Sequence, residues 1–197
     1  MTGRAVVETL AGVAVERAIA DLARLRITVF RDFPYLYDGD IDYERKYLRK
    51  FVDLPESTLV IARDGDAIVG ASTALPMLNA GEDVIKPFRG AALDPAQYYY
   101  FGESVLLPAY RGQGIGVTFF AQREERARAL GFRHATFCAV DRPVDHPRWP
   151  KDYVPLDAFW THRGYVKRPE LVATFEWKEI DEPEESPKTL TFWVKTL

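Results

Sequence analysis

The chain has 197 residues, 47% hydrophobic and 28% charged, with a formal net charge of −3 and a sequence pI of about 5.7. That is the balance of a soluble globular protein with enough chain for one sizeable core, and its mild acidity argues against a nucleic-acid-binding face. No apolar run reaches the ~18 residues that span a bilayer. Glu8, Glu16 and Arg17 break up any secretory h-region, and a single cysteine, Cys138, excludes an internal disulfide or a Cys-rich metal site. The expectation is one cytoplasmic domain over residues 1–197, with neither nucleic acid nor membrane as a partner.

In chain order, residues 4–9 read as a short strand. Val15, Ala18, Ile19, Leu22, Leu25, Val29 and Phe30 recur at helical spacing and predict an amphipathic helix over 14–31. An aromatic segment follows, punctuated by Pro34 and by Asp38-Gly39-Asp40, and Tyr43, Tyr47 and Phe51, four apart, predict a second helix over 42–52. Residues 57–63, the Asp64-Gly65-Asp66 turn and 67–75 have the pattern of a hairpin. Residues 79–97 have no clean period and read as an irregular surface excursion. The apolar run 98–107 predicts a central strand covered on both faces, and 115–130 a helix capped by Gly131. A strand over 134–140, a proline-rich loop, a short helix closed by Gly164, and strands over 171–178 and 189–196 complete the chain. The mixture predicts an α/β or α+β sandwich.

The stretch from Tyr98 to Gly131 carries the chemistry. Gly112, Gly114 and Gly116 stand in Arg111-Gly112-Gln113-Gly114-Ile115-Gly116, between a strand and a helix. Glycine lets backbone approach a ligand closely, and a helix N-terminus offers free N–H groups to a phosphate. The Lys-Ser/Thr ending of a Walker loop is missing, and the glycines are not spaced as in a dinucleotide fingerprint.

With Leu106-Leu107-Pro108-Ala109-Tyr110 before it, this loop resembles the acetyl-CoA signature of the GNAT acyl-CoA N-acyltransferase superfamily. Residues 15–52 resemble that family's paired first helices, 57–75 its second and third strands, and Phe159-Trp160-Thr161-His162-Arg163-Gly164-Tyr165 the ending of its fourth helix. The resemblance implies a mixed, mostly antiparallel central sheet flanked by helices on both faces. It implies acetyl-CoA as co-substrate, with Leu106, Leu107, Arg111, Gly112, Gln113, Gly114, Ile115, Gly116 and Val117 binding it. By that analogy the strand splays from its neighbour at a bulge near Leu106-Leu107, the pantetheine arm lies in the gap, and the amides of Gln113 to Val117 take the pyrophosphate.

Direct transfer to an amine sets further requirements. An amine of pKa ~10.4 is free base in only about one molecule in 2,500 at pH 7, a handicap of about 4.6 kcal/mol unless the site removes the proton. Glu103 is the catalytic base expected, the one charged residue of 98–107, where burial alone would raise its pKa; the other reading is a carboxylate paired with an arginine or holding substrate. The resemblance also implies a tyrosine acid on the fourth helix, but Trp160 occupies that position and indole does not titrate usefully. Tyr165 matches an apolar core position, which leaves Tyr153 as the expected acid. Cys138 reads as a core residue, and His134, His146 and His162 lack metal-ligand spacing, so no metal is expected. Phe33, Tyr35, Tyr37, Tyr43 and Tyr47 form an aromatic patch in the link and second helix, which by the resemblance wall the acceptor site.

The resulting expectation is an N-acetyltransferase acting on a small-molecule amine by direct transfer. The rivals are peptide or protein N-acetylation and a non-catalytic acyl-CoA-binding module. A C-terminal strand is the expected contact of any homodimer.

Overall fold

The computed structural model describes residues 5–197. Strand β1 (Val6–Leu10) is followed by helices α1 (Val13–Phe30) and α2 (Ile41–Asp53), strands β2 (Thr58–Asp64) and β3 (Ala67–Pro76), and helix α3 (Glu82–Gly90). Strand β4 (Tyr98–Leu106), helix α4 (Ile115–Ala129), strand β5 (His134–Val140), helix α5 (Asp157–Thr161) and strands β6 (Val166–Trp177) and β7 (Ser186–Thr196) complete the order. Arg4, the first residue of the strand expected over 4–9, lies outside the described residues.

The seven strands form one sheet in the order β1-β2-β3-β4-β5-β7-β6. Every neighbouring pair is antiparallel except β4 and β5. One face buries Leu22, Leu48, Phe88, Tyr98, Tyr100 and Phe192 under α1, α2 and α3. The other buries Tyr99, Phe101, Phe120 and Tyr165 under α4, with Ile115 and Phe119 against Val60 and Val69 beside it. The mixed, mostly antiparallel sheet with helices on both faces therefore stands as expected. β7 lies between β5 and β6, so any pairing of copies through a C-terminal strand runs along the edge of β6.

Two sequence expectations are corrected. The supposed irregular excursion over 79–97 contains the two-turn helix α3. Pro87 inside it weakens the pattern, and packing holds the helix instead, with Phe88 edge-on to Tyr98 at 4.8 Å and to Phe192 at 4.9 Å. Strand β6 begins at Val166 rather than 171, because its register against β7 breaks between Arg168 and Val172, around Pro169.

Candidate active site

The parallel pair at the centre of the sheet is a fork. Only Tyr98, Tyr99 and Tyr100 pair with His134, Ala135 and Thr136, although β4 runs on to Leu106 and β5 to Val140. Beyond the last pair the strands part. Ser104 is exposed in mid-sheet, and Cys138, Ala139 and Val140 are half-buried.

At the open end β4 passes through a turn into α4. Gly112 and Gly114 have φ of +75° and +81°, the left-handed region, and a Cβ on either would meet nothing within 4 Å. Glycine is thus required by the backbone while the space above the loop stays open. The first helix N–H with a backbone acceptor is that of Thr118, which donates to the Gly114 carbonyl at 3.1 Å. The amides from Gly112 to Val117 have no backbone acceptor among the described residues, so an anion can be bound there. The Ile115 side chain is core, Val117 is exposed, and Leu106 and Leu107 are half-buried against the cluster below. Arg111 Nε donates to the Leu106 carbonyl (3.2 Å), and Gln113 Nε2 to that of Ala109 (3.2 Å), so both side chains brace the turn. On the other flank a Cβ on Gly116 would lie 3.5 Å from Phe159, whose ring carries the Arg163 guanidinium 3.6 Å above its centre. The loop fits a pyrophosphate: open amides, a helix N-terminus, and arginines on both sides.

The bulge is not at Leu106-Leu107. Ser72 pairs with Ser104 but Ala74 with Phe101, so Gly102 and Glu103 together oppose Thr73. The extra residue reverses the alternation of side chains. Without it Glu103 would face α4; with it Glu103 faces α1 and α2. Arg123 of α4 fastens the bulge from behind. Its buried guanidinium donates to the carbonyls of Thr73 (3.2 Å) and Glu103 (3.1 Å) and to Ser104 Oγ (2.8 Å). Burial pulls the Arg123 pKa down to about 10, which leaves it charged at neutral pH.

Glu103 is not the lone buried carboxylate that sequence suggests. One oxygen lies 2.7 Å from Arg26 Nη1, and the other accepts the Tyr47 hydroxyl at 2.9 Å. Arg26 also pairs with the buried Glu44 and stacks on Tyr47, 4.3 Å from the ring centre. The cluster holds the carboxylates of Glu44 and Glu103 against the Arg26 guanidinium and the Lys50 ammonium, which lies 3.9 Å from the Tyr47 ring centre.

Two further phenols stand about Cys138 at the fork. Tyr100, the last β4 residue before the strands part, has its hydroxyl 3.4 Å from Cys138 Sγ. Burial, then the neighbouring thiol, raises its pKa well above the usual tyrosine value. Tyr35 is raised likewise, first by burial, then by the charges of Cys138, Glu103 and Tyr153. Both hold their protons at neutral pH. The Cys138 thiol is pushed up to about 12 by burial, so it is a poor nucleophile.

The side opposite α4 is walled by three segments that meet at Arg142. Its Nε donates to the Pro34 carbonyl (2.6 Å), and its Nη2 to Tyr35 O (3.2 Å) and to Glu179 Oε1 (2.6 Å). Trp177 Nε1 donates to the same Tyr35 carbonyl at 3.1 Å. The α1–α2 link, the 141–154 loop and the β6–β7 hairpin are thereby held together. Tyr153 belongs to this wall, edge-on to Phe33 at 4.7 Å and to Trp149 at 5.1 Å. Trp160 lies on the far face, packed on Phe137 (5.1 Å) and Trp193 (5.2 Å). Tyr165 is buried and donates to Glu124.

Against known proteins, residues 7–150 match the model of the acetyltransferase (GNAT) family. The chain belongs to that family. No curated protein matches the sequence. Among solved structures, the ribosomal-protein-alanine N-acetyltransferase of Brucella melitensis is 14% identical with a TM-score of 0.63, covering 98% of this chain and 99% of that one. The yncA protein of Salmonella typhimurium, solved with its cofactor acetyl-CoA, is 10% identical with a TM-score of 0.61, covering 99% and 95%. The PaiA N-acetyltransferase of Thermoplasma acidophilum, in complex with coenzyme A, is 11% identical with a TM-score of 0.52, covering 98% and 99%. At such identities these likenesses show a shared fold.

In this acetyltransferase the glycine loop and Glu103 were readable from sequence, and the structure brings Glu103 to the fork. Tyr153 lies instead in the loop wall. Sequence reasoning missed Arg26, Arg123 and Arg142. The available signal was an arginine on a buried stripe: Arg26 follows Ile19 and Leu22 at helical spacing, and Arg123 follows Phe119.

Proposed function

We propose that the enzyme passes an acetyl group directly from acetyl-CoA to the primary amine of a small molecule, with residues 1–197 acting as one domain. The family match ends at residue 150, and β6 and β7 complete the same sheet, which supports the single domain. The observation that carries the small acceptor is the wall fastened by Arg142, which draws the 141–154 loop onto the α1–α2 link.

Acetyl-CoA supplies an acyl group already activated as a thioester. The amides of Gly112 to Val117 bind its pyrophosphate, flanked by Arg111 and Arg163, and Leu106 and Leu107 line the strand end beside them. Glu103 orients the free amine by accepting a hydrogen bond from one of its N–H groups, the carboxylate being fixed in place by Arg26 and Tyr47. The acceptor attacks as the free amine, its ammonium proton released to water; as the C–N bond forms and the C–S bond breaks, Tyr100 gives its hydroxyl proton to the departing sulfur and regains one from the acetylated nitrogen. Tyr153 offers a hydroxyl on the acceptor wall. Orientation of the two reactants supplies much of the acceleration, so no covalent enzyme intermediate is needed.

The test is release of CoA thiol from acetyl-CoA across a panel of primary amines, with the products weighed. Amine-dependent release with a monoacetylated product is expected. Acetylation of peptide N-termini with no turnover of free amines would replace this reading by the protein-directed one.

A further inference from the structure

Ser104 is a polar residue left open in the middle of a sheet. Glu103 before it and Val105 after it are buried, yet Ser104 is exposed. Its cross-strand partner on β3, Ser72, is fully buried. The opening therefore lies on the other side of β4, where pairing with β5 ends at Tyr100. Ser104 borders the fork itself.

Its hydroxyl is tied on one side only. Arg123 Nη2 donates to Ser104 Oγ at 2.8 Å, while Nη1 of the same guanidinium holds the Glu103 carbonyl at 3.1 Å. A guanidinium has no acceptor, so the hydroxyl's own hydrogen must point elsewhere. Among the described residues no group accepts it, and Ser72 Oγ, on the same face, has no hydrogen-bond partner either. Accepting from a cation polarises the hydroxyl and makes it a stronger donor.

The bulge sets this hydroxyl opposite the carboxylate. Side chains alternate again after it, so Glu103 faces α1 and α2, and Ser104 faces α4 and its Arg123. Consecutive residues thus present an acceptor on one side of the strand and a free hydroxyl hydrogen on the other. An amine uses the acceptor. A thioester carbonyl, whose oxygen gains negative charge as the amine adds, calls for the donor.

We propose that Ser104 is a further catalytic residue, whose hydroxyl, steadied by Arg123, donates a hydrogen bond to the thioester carbonyl oxygen of acetyl-CoA. The proposal rests on the acetyl-transfer reading above, with the thioester in the fork. Ser104 keeps its proton throughout and forms no covalent bond to the acetyl group. Arg123 is its positioning residue, because the guanidinium fixes both the oxygen of Ser104 and the peptide carbonyl just before it.

Infrared difference spectroscopy of acetyl-CoA labelled with heavy carbon at the carbonyl reads this bond without turnover. The carbonyl band of the wild-type complex should lie below that of Ser104→Ala, and Ser104→Thr, which keeps a hydroxyl, should restore it. Ser104→Ala should also lower kcat at least about tenfold, toward the ~10²–10³ of one lost oxyanion donor, and Ser104→Thr should recover most of it. Affinity for free CoA, which has no thioester carbonyl, should stay unchanged. Ser104 is exposed, so water replaces its oxygen at Arg123 and Ser104→Ala should melt as wild type does. A band that does not move between wild type and Ser104→Ala, or an equal loss of affinity for CoA and acetyl-CoA, would overturn the proposal and leave acetyl transfer standing. A wild type that shows the lowered band but acetylates no amine would overturn the transfer reading, and the catalytic role with it.

Discussion

Glu103 has both of its oxygens engaged, one by a guanidinium and the other by a phenol. That arrangement, with a donor already on each oxygen, suits orienting an amine better than shuttling its proton. A hydrogen bond to a charged group is worth about 1.5–3 kcal/mol. Glu103→Gln should therefore lower kcat/KM at least about tenfold, by the same factor at pH 7 and pH 9, with CoA affinity unchanged. A loss that shrinks as pH rises would make Glu103 the proton acceptor instead. Trp160 packs on Phe137 and Trp193. Trp160→Phe should lower the melting temperature by a few degrees and leave the pH profile of kcat as it is; loss of the basic limb would contradict a packing role. Glu103 could be read from sequence because a lone charge in an apolar strand stands out. Its partners could not, because Arg26 and Glu44 sit on amphipathic helices where charge is ordinary. The bulge that turns Glu103 toward them is a matter of register, which the residues of one strand do not encode alone.

At the scale of elements, the site depends on how three loops are fastened. Arg142 and Glu179 form a largely buried pair, and Lys188 stands 3.6 Å from the same Glu179 oxygen, so removing Arg142 costs less than the ~3–5 kcal/mol of a buried charge left uncompensated. Arg142→Gln should lower stability by about 1–3 kcal/mol in a urea titration, the cost of buried acceptors left unsatisfied, and should raise the acceptor KM more than it lowers kcat, because the Phe33–Tyr35 segment loses its tether. The β6–β7 hairpin has its own fastening in Glu182. Its carboxyl accepts from Lys188 Nζ (2.9 Å) and Ser186 Oγ (2.7 Å), and its pKa is pulled down to about 2, chiefly by the Lys188 hydrogen bond. A carboxyl lowered in the folded state stabilises fully above its ordinary value, and that stabilisation is lost as pH falls toward about 2. Glu182→Gln should thus shift the urea midpoint down at pH 6, and the gap from wild type should narrow as pH falls below ~4.5. A gap that stays constant to pH 3 would remove the ion pair as its cause. The long helices, the hairpin and the central strand followed from hydrophobic period. Helix α3 did not, since Pro87 interrupts it and its stability comes from contacts with β4 and β7. The early part of β6 did not, since Pro169 breaks its pattern.

For the whole molecule, fork and glycine loop are built by one device. The helix whose N-terminus offers open amides at Gly112 to Val117 also carries Arg123, which fastens the bulge of β4. The loop and its helix were legible because glycines at fixed spacing before a helix have few other uses. The meeting of loop, fork and aromatic wall was not legible, because it depends on contacts more than 100 residues apart, such as Arg142 with Pro34. The pyrophosphate of CoA is expected on the amides of that loop. Calorimetric titration of CoA into wild type, Gly114→Asp and Val117→Asp tests that placement. Val117 is exposed in the first turn of α4, where an acidic side chain favours the helix dipole, so that variant should fold at least as well as wild type. Both substitutions place negative charge where the phosphates would sit. CoA affinity should fall at least tenfold in each, about 1.4 kcal/mol or more. Unchanged CoA affinity in the two folded variants would contradict the assignment of the loop, and with it the placement of acetyl-CoA in the fork.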